Sequence, residues 1–465
     1  MRPKAQEASP QADLFREKLT NLINLRHPLC RLAELMPWNE LNERFGSLYT
    51  EKEGRPGIAT RLMAGLQYLK HTYNLSDEAV VERWVENPYW QHFCGAEYFQ
   101  HEFPIDPSQL TRYRKRIGAE GCEFLLKATI GVGLSSGAVQ PQHLERVTVD
   151  TTVMEKAISP PTDSALYHKA RRALVKAAKQ LNIELRQSYT RKSKHALRKA
   201  HGYMHARQMK RARREIKRLK VYLGRVARDL KRKLADHSVF VPDEVTVLLA
   251  KVDRLLSQQR DSKHKLYAVH APEVECIAKG KVAKKYEFGV KVSVAVTNQS
   301  NFVVGMSALP GNPYDGHTLS DVLTQIEALT GTQPQRCYAD QGYRGHGVTD
   351  TEVILAHHKP STPTQRRELK RRNAIEPVIG HMKSDGRLGR NFLLGKLGDK
   401  LNALMCACGH NLRLMLNKLR TQGNRGGKSG LVFVLLCWFW SWLPGLSPRR
   451  FGCSRPCPAL AQIGW

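Results

Sequence analysis

The sequence predicts an α/β protein: a mixed five-stranded sheet flanked by helices, preceded by an all-helical N-terminal domain and split by a basic helical insertion between its first and second strands. Three observations predict this. Apolar residues recur at helical spacing through residues 12–135. Strand-like alternation begins at RVTVDTTV and resumes only at YEFGVKVSVAV. The stretch between them is strongly basic and carries a helical apolar seam. At 465 residues the chain is long enough for two or three domains with buried cores.

The first segment, residues 1–135, reads as helices through RLMAGLQYLKHTYNLSDEAVVERWVENPYW. Near its end Asp106 is placed to cap a helix, with Pro107 in the first turn and Gln109 at the capping-box position. On that helix Leu110, Tyr113 and Ile117 share one face, and Arg112, Arg114, Lys115 and Arg116 project elsewhere. Those four cations are either a solvated face or a surface presented to DNA. A Gly/Ser/Gln-rich stretch, GLSSGAVQPQ, then reads as a linker.

In RVTVDTTV, Val147, Val149 and Val153 alternate with polar residues, as a buried strand requires. The insertion, residues 161–265, follows. Between residues 165 and 265 there are 29 Lys and Arg against 8 acids, too lopsided for ion pairing along a helix to neutralise. Ile216, Leu219, Leu223, Val226 and Leu230 form a coiled-coil-like seam, and Leu174, Leu181 and Leu185 a second stripe. Two antiparallel helices would bury both, leaving basic faces in water to meet phosphates.

Strands resume with YEFGVKVSVAV (286–296) and NFVVGMSAL (301–309), joined by Thr297-Asn298-Gln299-Ser300 as a hairpin. HTLSDVLTQIEALTG is an amphipathic helix ending at Gly331. RCYADQGY and TEVILAHH supply two more strands, QRRELKRRNAIEPVIGHMKSD a helix, and KLGDKLNALMCACGHNLRLMLNKLR a final apolar helix. Residues 136–160 with 266–420 therefore form one α/β domain. The tail, residues 421–465, has no usable periodicity and is expected to be irregular.

The formal charge of +32 and pI near 9.9 make nucleic acid the first partner to consider. The ten cysteines lack the paired half-sites of structural zinc and read as reduced, mostly buried thiols of a cytoplasmic protein. The N-terminus has no secretory apolar core. The apolar run from Leu431 to Leu443 is 13 residues long and is followed by Pro444, short for a membrane span.

Asp150 follows Val149 in the first strand and Asp340 follows Tyr338-Ala339 in the fourth. If those strands are neighbours, the two carboxylates converge on one edge, and Glu376 on a following helix completes a set of three hard oxygen ligands. Such a set suits magnesium or manganese rather than zinc, and two ions so held serve phosphoryl transfer. Each acid taken alone has the simpler reading of a cap or turn residue. Asp315, Asp350, Glu368 and Asp385 are the neighbouring acids that could substitute.

VDTTV, then YADQGYRG, then Arg372-Asn373-Ala374-Ile375-Glu376 with Lys383 seven residues on, resemble the signature of DDE transposases of bacterial insertion sequences. EFGVKVSVAVTN and GNPYDGHTL resemble phrases of the insertion-sequence-five group, and the similarity covers nearly all of residues 15 to 420. The resemblance implies a ribonuclease H-like fold and metal-ligand roles for Asp150, Asp340 and Glu376, holding two Mg2+ or Mn2+ ions. It also implies a transposase that binds terminal inverted repeats, cleaves the ends and transfers strands, as a homodimer or higher assembly on DNA. Arg372, Glu376 and Lys383 fall on one helix face, so Arg372 and Lys383 are the DNA contacts expected beside the acid. Two departures stand out: Leu369 occupies a position where the family often has Tyr, and Pro377 should kink or begin the helix at Glu376. A metal-dependent nuclease of the same fold and a non-catalytic basic nucleic-acid-binding protein are the alternatives that composition leaves open.

Overall fold

The computed structural model describes residues 17–49, 57–236, 240–259, 261–263, 265–278, 285–357 and 359–441. Cys453, Cys457, the leader through residue 16 and the tail from 442 lie outside the described residues.

Among the described residues eight helices precede the first strand: α1 (Leu19–Leu22), α2 (Pro28–Leu35), α3 (Trp38–Gly46), α4 (Thr60–Thr72), α5 (Asp77–Glu86), α6 (Pro88–Phe93), α7 (Ser108–Ser135) and α8 (Pro141–Leu144). Their starts follow local chemistry. Ser76 accepts the Ala79 amide at the head of α5, Asn87 accepts the Trp90 amide at the head of α6, and prolines open α2, α6 and α8. Asp106 accepts the Ser108 amide at 2.8 Å, as expected of a cap. Gly118, with φ of 63°, breaks α7 into two runs, a backbone conformation that side chains other than glycine rarely adopt. The expected linker is helical as far as Ser135, where α7 ends.

The sheet has six strands, one more than the sequence suggested: β1 (Arg146–Glu155), β2 (Glu275–Ala278), β3 (Tyr286–Thr297), β4 (Val303–Leu309), β5 (Arg336–Ala339) and β6 (Glu352–Leu355). The extra strand, β2, is four residues long and too short to show alternation. β1 is central, antiparallel to β3 on one side and parallel to β5 on the other. β6 continues beyond β5, and β2 and β4 both pair the far edge of β3. The β3–β4 hairpin turns at Thr297 to Asn301, with Asn301 at φ 55°.

The insertion holds four helices where two were expected: α9 (Asp163–Gln180), α10 (Thr190–His205), α11 (Met209–Asp236) and α12 (Asp243–Ser257). The α11 seam is buried at Leu219, Leu223, Val226 and Leu230, but it packs on α9, α10 and α12 together. Leu174 of α9 and Leu249 and Val252 of α12 complete the core. Two helices would have left the apolar side of α12 in water, and each buried Leu or Val is worth roughly 1.5–3 kcal/mol.

After β4 come α13 (Leu319–Thr330), closed by Gly331 at φ 71°, then α14 (Pro363–Arg371), α15 (Ile375–Ser384) and α16 (Gly395–Ser441). α16 runs through Ser441, so the expectation of an irregular chain from residue 421 is corrected up to that point: the Gly-rich GNRGGKSG stretch lies within a helix despite its poor helix propensity. Among the described residues no helix is long and apolar enough to cross a membrane. α16 packs on α4, α7 and β4, and buried residues of the N-terminal helices and the sheet form one continuous core, whereas the insertion core is separate.

Candidate functional site

β1 lies in the middle of the sheet with both faces covered: Val147, Val149 and Val153 bury on one, and Thr148, Thr152 and Met154 on the other. β5 runs parallel to it in a register that pairs Val149 with Ala339. One residue further, Asp150 and Asp340 stand abreast, where β5 ends and β1 continues. Neighbouring strands are about 4.8 Å apart, and residues level in a parallel pair project from the same face, so the two acids share a face. The Oδ1 of Asp150 accepts the Thr151 amide at 2.7 Å, and the Oδ1 of Asp340 accepts the Gln341 amide at 2.7 Å. Asp340 is 56% exposed, at the opening of the site.

Arg372 reaches this edge. It lies in a 3-10 turn between α14 and α15, its side chain is 13% exposed, and its Nη1 is 4.0 Å from Asp340 Oδ1. Pro377 sits in the first turn of α15, where no intrahelical partner awaits its missing N–H, so the break falls just before Glu376, as its sequence position demanded. Glu376 is exposed in that first turn, and α15 packs against β1. Among the described residues, however, no three His, Cys, Asp or Glu side chains form a group able to hold a metal ion. The sheet thus brings Asp150 and Asp340 together, and Glu376 stands on the adjacent helix without joining them.

The four substitute acids separate cleanly. Asp315 borders the pair: its Oδ2 lies 3.2 Å from where a Cβ on Gly342 would be, and Lys291 of β3 holds its Oδ1 at 3.1 Å. Burial, then the charges of Asp315 and Asp150, push the Tyr343 phenol up. Glu368 is buried and committed, paired with Arg146 at 3.0 Å and Arg336 at 3.4 Å and accepting from the Tyr338 hydroxyl. Asp350 accepts from the Thr349 hydroxyl in a turn, and Asp385 is bound by His381 and Ser384 at the end of α15. The Glu368 cluster was not foreseen as a unit. It fixes α14 to the first residues of β1 and β5, and so sets where Arg372 begins; the basic residues opening two paired strands were its signal.

Of the cations assigned to DNA, Arg114 requires correction. It is 3% exposed, and its two Nη groups hold both oxygens of Asp77 at 2.8 and 2.7 Å, with Lys70 on the same carboxylate at 2.7 Å. On a helix whose apolar face is Leu110, Tyr113 and Ile117, position 114 adjoins 110 and 117 and turns inward with them. Arg112, Lys115 and Arg116 are exposed, and the Arg116 guanidinium lies 4.3 Å over the Tyr49 ring. Lys383 is half-buried in the last turn of α15, where the helix dipole favours a cation.

Comparison with known proteins gives three findings. Residues 17–116 match a family described as a transposase domain (DUF772), and residues 257–412 match the transposase DDE domain family. Asp340 and Glu376 fall in the second match, whereas Asp150 falls in neither. A protein of Rhizobium meliloti described as uncharacterized protein ORF8 in the nfe locus is 58% identical over 208 residues, which is 45% of this chain and all of that relative. No solved structure matches.

Proposed function

The chain belongs to the DDE transposases of insertion sequences, and from that premise we propose that it binds the terminal inverted repeats of its element, cleaves the DNA at those ends and joins the freed 3′-hydroxyls to target DNA. The observation that carries the reading is the β1–β5 register, which sets Asp150 beside Asp340 at an open sheet edge with Arg372 at its rim. The strand order, a central β1 flanked by antiparallel β3 and parallel β5, supports a ribonuclease H-like core. The motif phrases support the insertion-sequence-five group within the family.

Asp150 and Asp340 lie at the ends of adjacent paired strand segments, and the Arg372 guanidinium faces Asp340 at 4.0 Å, the limit of an ion pair. The two carboxylates would hold a hard divalent ion, magnesium or manganese, and Glu376, which stands apart on α15, is the third ligand that the family resemblance implies. Two such ions, when bound, supply activation of the attacking oxygen and stabilisation of the leaving one. The chain's own residues do the rest. Arg372 offers a planar donor pair to a phosphate beside Asp340. Lys383 lies about 10 Å of helix rise from Glu376, too far to join the ligands, and contacts a phosphate or base near the cut. Exposed Arg112, Lys115 and Arg116 contribute end binding, and the insertion contributes sequence-tolerant affinity. Assembly on DNA as a homodimer or larger complex would bring two ends together.

The test uses the full chain and a supercoiled plasmid carrying the element ends. Magnesium-dependent nicking at the ends, together with joined products, is the expected result. Nicking without joining would reduce the protein to a nuclease. Undiminished nicking in the presence of a chelator, or in Asp150→Asn, would overturn the assignment of the site.

A further inference from the structure

The insertion carries a feature that its total charge does not explain. Between the start of α10 and the side of α11 lies a cavity of about 670 Å³, lined by Arg186, Tyr189, Arg225, Arg228, Asp229 and Arg232. Arg225, Arg228 and Arg232 follow one another at intervals of three and four residues, so they stand on one side of α11 over about 10 Å of rise. Arg186 faces them from the α9–α10 connection.

This cluster is organised rather than merely crowded. Asp229 is its single acid, and both of its oxygens are committed: Oδ2 accepts the Arg186 backbone N–H at 2.7 Å, and Oδ1 holds the Arg232 Nη2 at 2.6 Å. Among the described residues no carboxylate pairs with the side chains of Arg186, Arg225 or Arg228. Tyr189 forms the wall, in the left-handed region at φ 53°, which a bulky residue rarely adopts. Three contacts hold it there. Its ring stacks on Tyr222 with centroids 4.7 Å apart, its hydroxyl accepts from Arg225 Nη1 at 3.2 Å, and the preceding carbonyl of Ser188 accepts from buried Arg171 at 2.7 Å. Immediately after it, α10 begins without a side-chain cap, so the positive end of a 16-residue helix adjoins the cavity. Strain held in place by packing is characteristic of binding sites.

We propose that this cavity is a phosphodiester-binding cleft that grips the backbone of one DNA strand, a discrete site on the insertion rather than part of a diffuse basic surface. The proposal rests on the reading of the chain as a DNA-acting transposase. Guanidinium groups match phosphate oxygens in shape, and a ridge about 10 Å long spans about three phosphates at 3.4 Å of axial rise per nucleotide. Tyr189 presets the wall, so little ordering is left for the moment of binding.

The test compares two full-length double variants that remove the same charge. Arg225→Gln with Arg228→Gln empties the cleft, whereas Arg213→Gln with Lys217→Gln alters the same helix two or more turns away. The cleft variant should lose at least tenfold in affinity for a 30-base-pair duplex without element ends, with a salt slope lower by about two, and the control should lose under threefold. Equal losses in the two variants would overturn the proposal, because the affinity would then be diffuse. As a readout that needs no variant, phenylglyoxal labelling of wild type followed by mass spectrometry should show Arg225 and Arg228 protected by duplex DNA. Equal labelling with and without DNA overturns the site. Protection by inorganic phosphate alone at the same concentration, or stronger protection by RNA of the same sequence, overturns the assignment to a DNA strand. If the cleft variant binds normally while wild type still nicks plasmid ends, the cleft fails and the transposase reading stands. If wild type binds no DNA, it is that reading which fails.

Discussion

Two carboxylate clusters in this protein use the same residue types to opposite ends. At Asp77, Arg114 and Lys70 close on one carboxylate, both cations nearly fully buried. Burial alone would raise that carboxyl, but the Arg114 hydrogen bonds and the charges of Lys70 and Arg114 outweigh it and hold it well below the usual range. Burial, then the charge of Arg114, pulls the Lys70 ammonium down to about 8 against the attraction of Asp77. At the sheet edge Asp150 and Asp340 stand side by side, and Asp340 is mostly exposed with its guanidinium neighbour only at the margin of contact. The first cluster is complete in itself and holds α5 to α4 and α7. The second sets two carboxylates on adjacent strands, Asp340 exposed and Asp150 half-buried, at the site proposed above for a metal ion. Residue type alone does not separate the two clusters; burial and the closeness of the facing cations do.

The largest expected effect breaks that comparison if it fails. Asp150→Asn or Asp340→Asn should lower end cleavage by about a thousandfold or more, roughly 4 kcal/mol of barrier, and leave thermal stability within about 0.5 kcal/mol. Nicking assays beside thermal melts read both quantities. A variant that melts early instead would place its acid with Asp77.

Asp77→Ala should do the reverse. Stranding Arg114 and Lys70 in the interior should cost about 3–5 kcal/mol of folding stability, read from denaturant midpoints. The same cluster sets an acid limit. Because the folded Asp77 carboxyl titrates below its ordinary value near 3.9, its stabilisation is complete above that pH and drains away as the pH falls toward the folded value. Asp77→Asn should flatten that part of the stability profile between about pH 5 and 2; an unchanged profile would show that the pair contributes nothing.

Smaller effects sharpen the contrast among cations. Lys383→Ala should weaken binding of end DNA by about 1–3 kcal/mol and blur the cut position, with Lys383→Arg partly tolerated because a point contact to phosphate needs charge more than shape. Equal affinity and cut precision in wild type and Lys383→Ala would leave that lysine without a DNA role. Within α7 the comparison is made on one helix. Arg112→Ala and Arg116→Ala should each lower DNA affinity by about 1 kcal/mol at unchanged melting temperature, whereas Arg114→Ala should melt early; titrations and melts of the three variants decide it.

Much of the architecture was legible because periodicity reports burial. The alternation around Val147, Val149 and Val153, the α11 seam and the Gly331 stop all describe which face meets the core. That the strands of Asp150 and Asp340 are neighbours stood only as a condition, which the parallel β1–β5 register meets. What escaped the sequence was whatever depended on a partner far along the chain. Arg114 reads as one of four surface cations until Asp77 and Lys70 are found beside it. Glu368 reads as a spare acid until Arg146, Arg336 and Tyr338 converge on it. β2 is recognisable only once β3 offers it an edge, and α12 enlarges the insertion from a hairpin to a bundle because two stripes were counted where three faces needed cover. Glu376 shows the limit from the other side: its motif is clear, yet convergence of a third acid depends on how a helix rests against β1.

The position of β1 also bears on synthesis. Its two sheet partners are β3, starting at Tyr286, and β5, starting at Arg336, so the strand bearing Asp150 leaves the ribosome long before either neighbour exists. At about 5–20 residues per second, β1 waits on the order of ten seconds for β3 and longer for β5. During that interval its valine-rich edges are unpaired, and the insertion, with a core of its own, can fold and hold its two ends together. The nascent protein therefore carries a finished basic bundle before it has a second aspartate in place. If the insertion binds phosphates as proposed, a polypeptide released between residues 257 and 336 would hold DNA without the second aspartate, and so compete with the intact protein rather than act as a weaker copy of it.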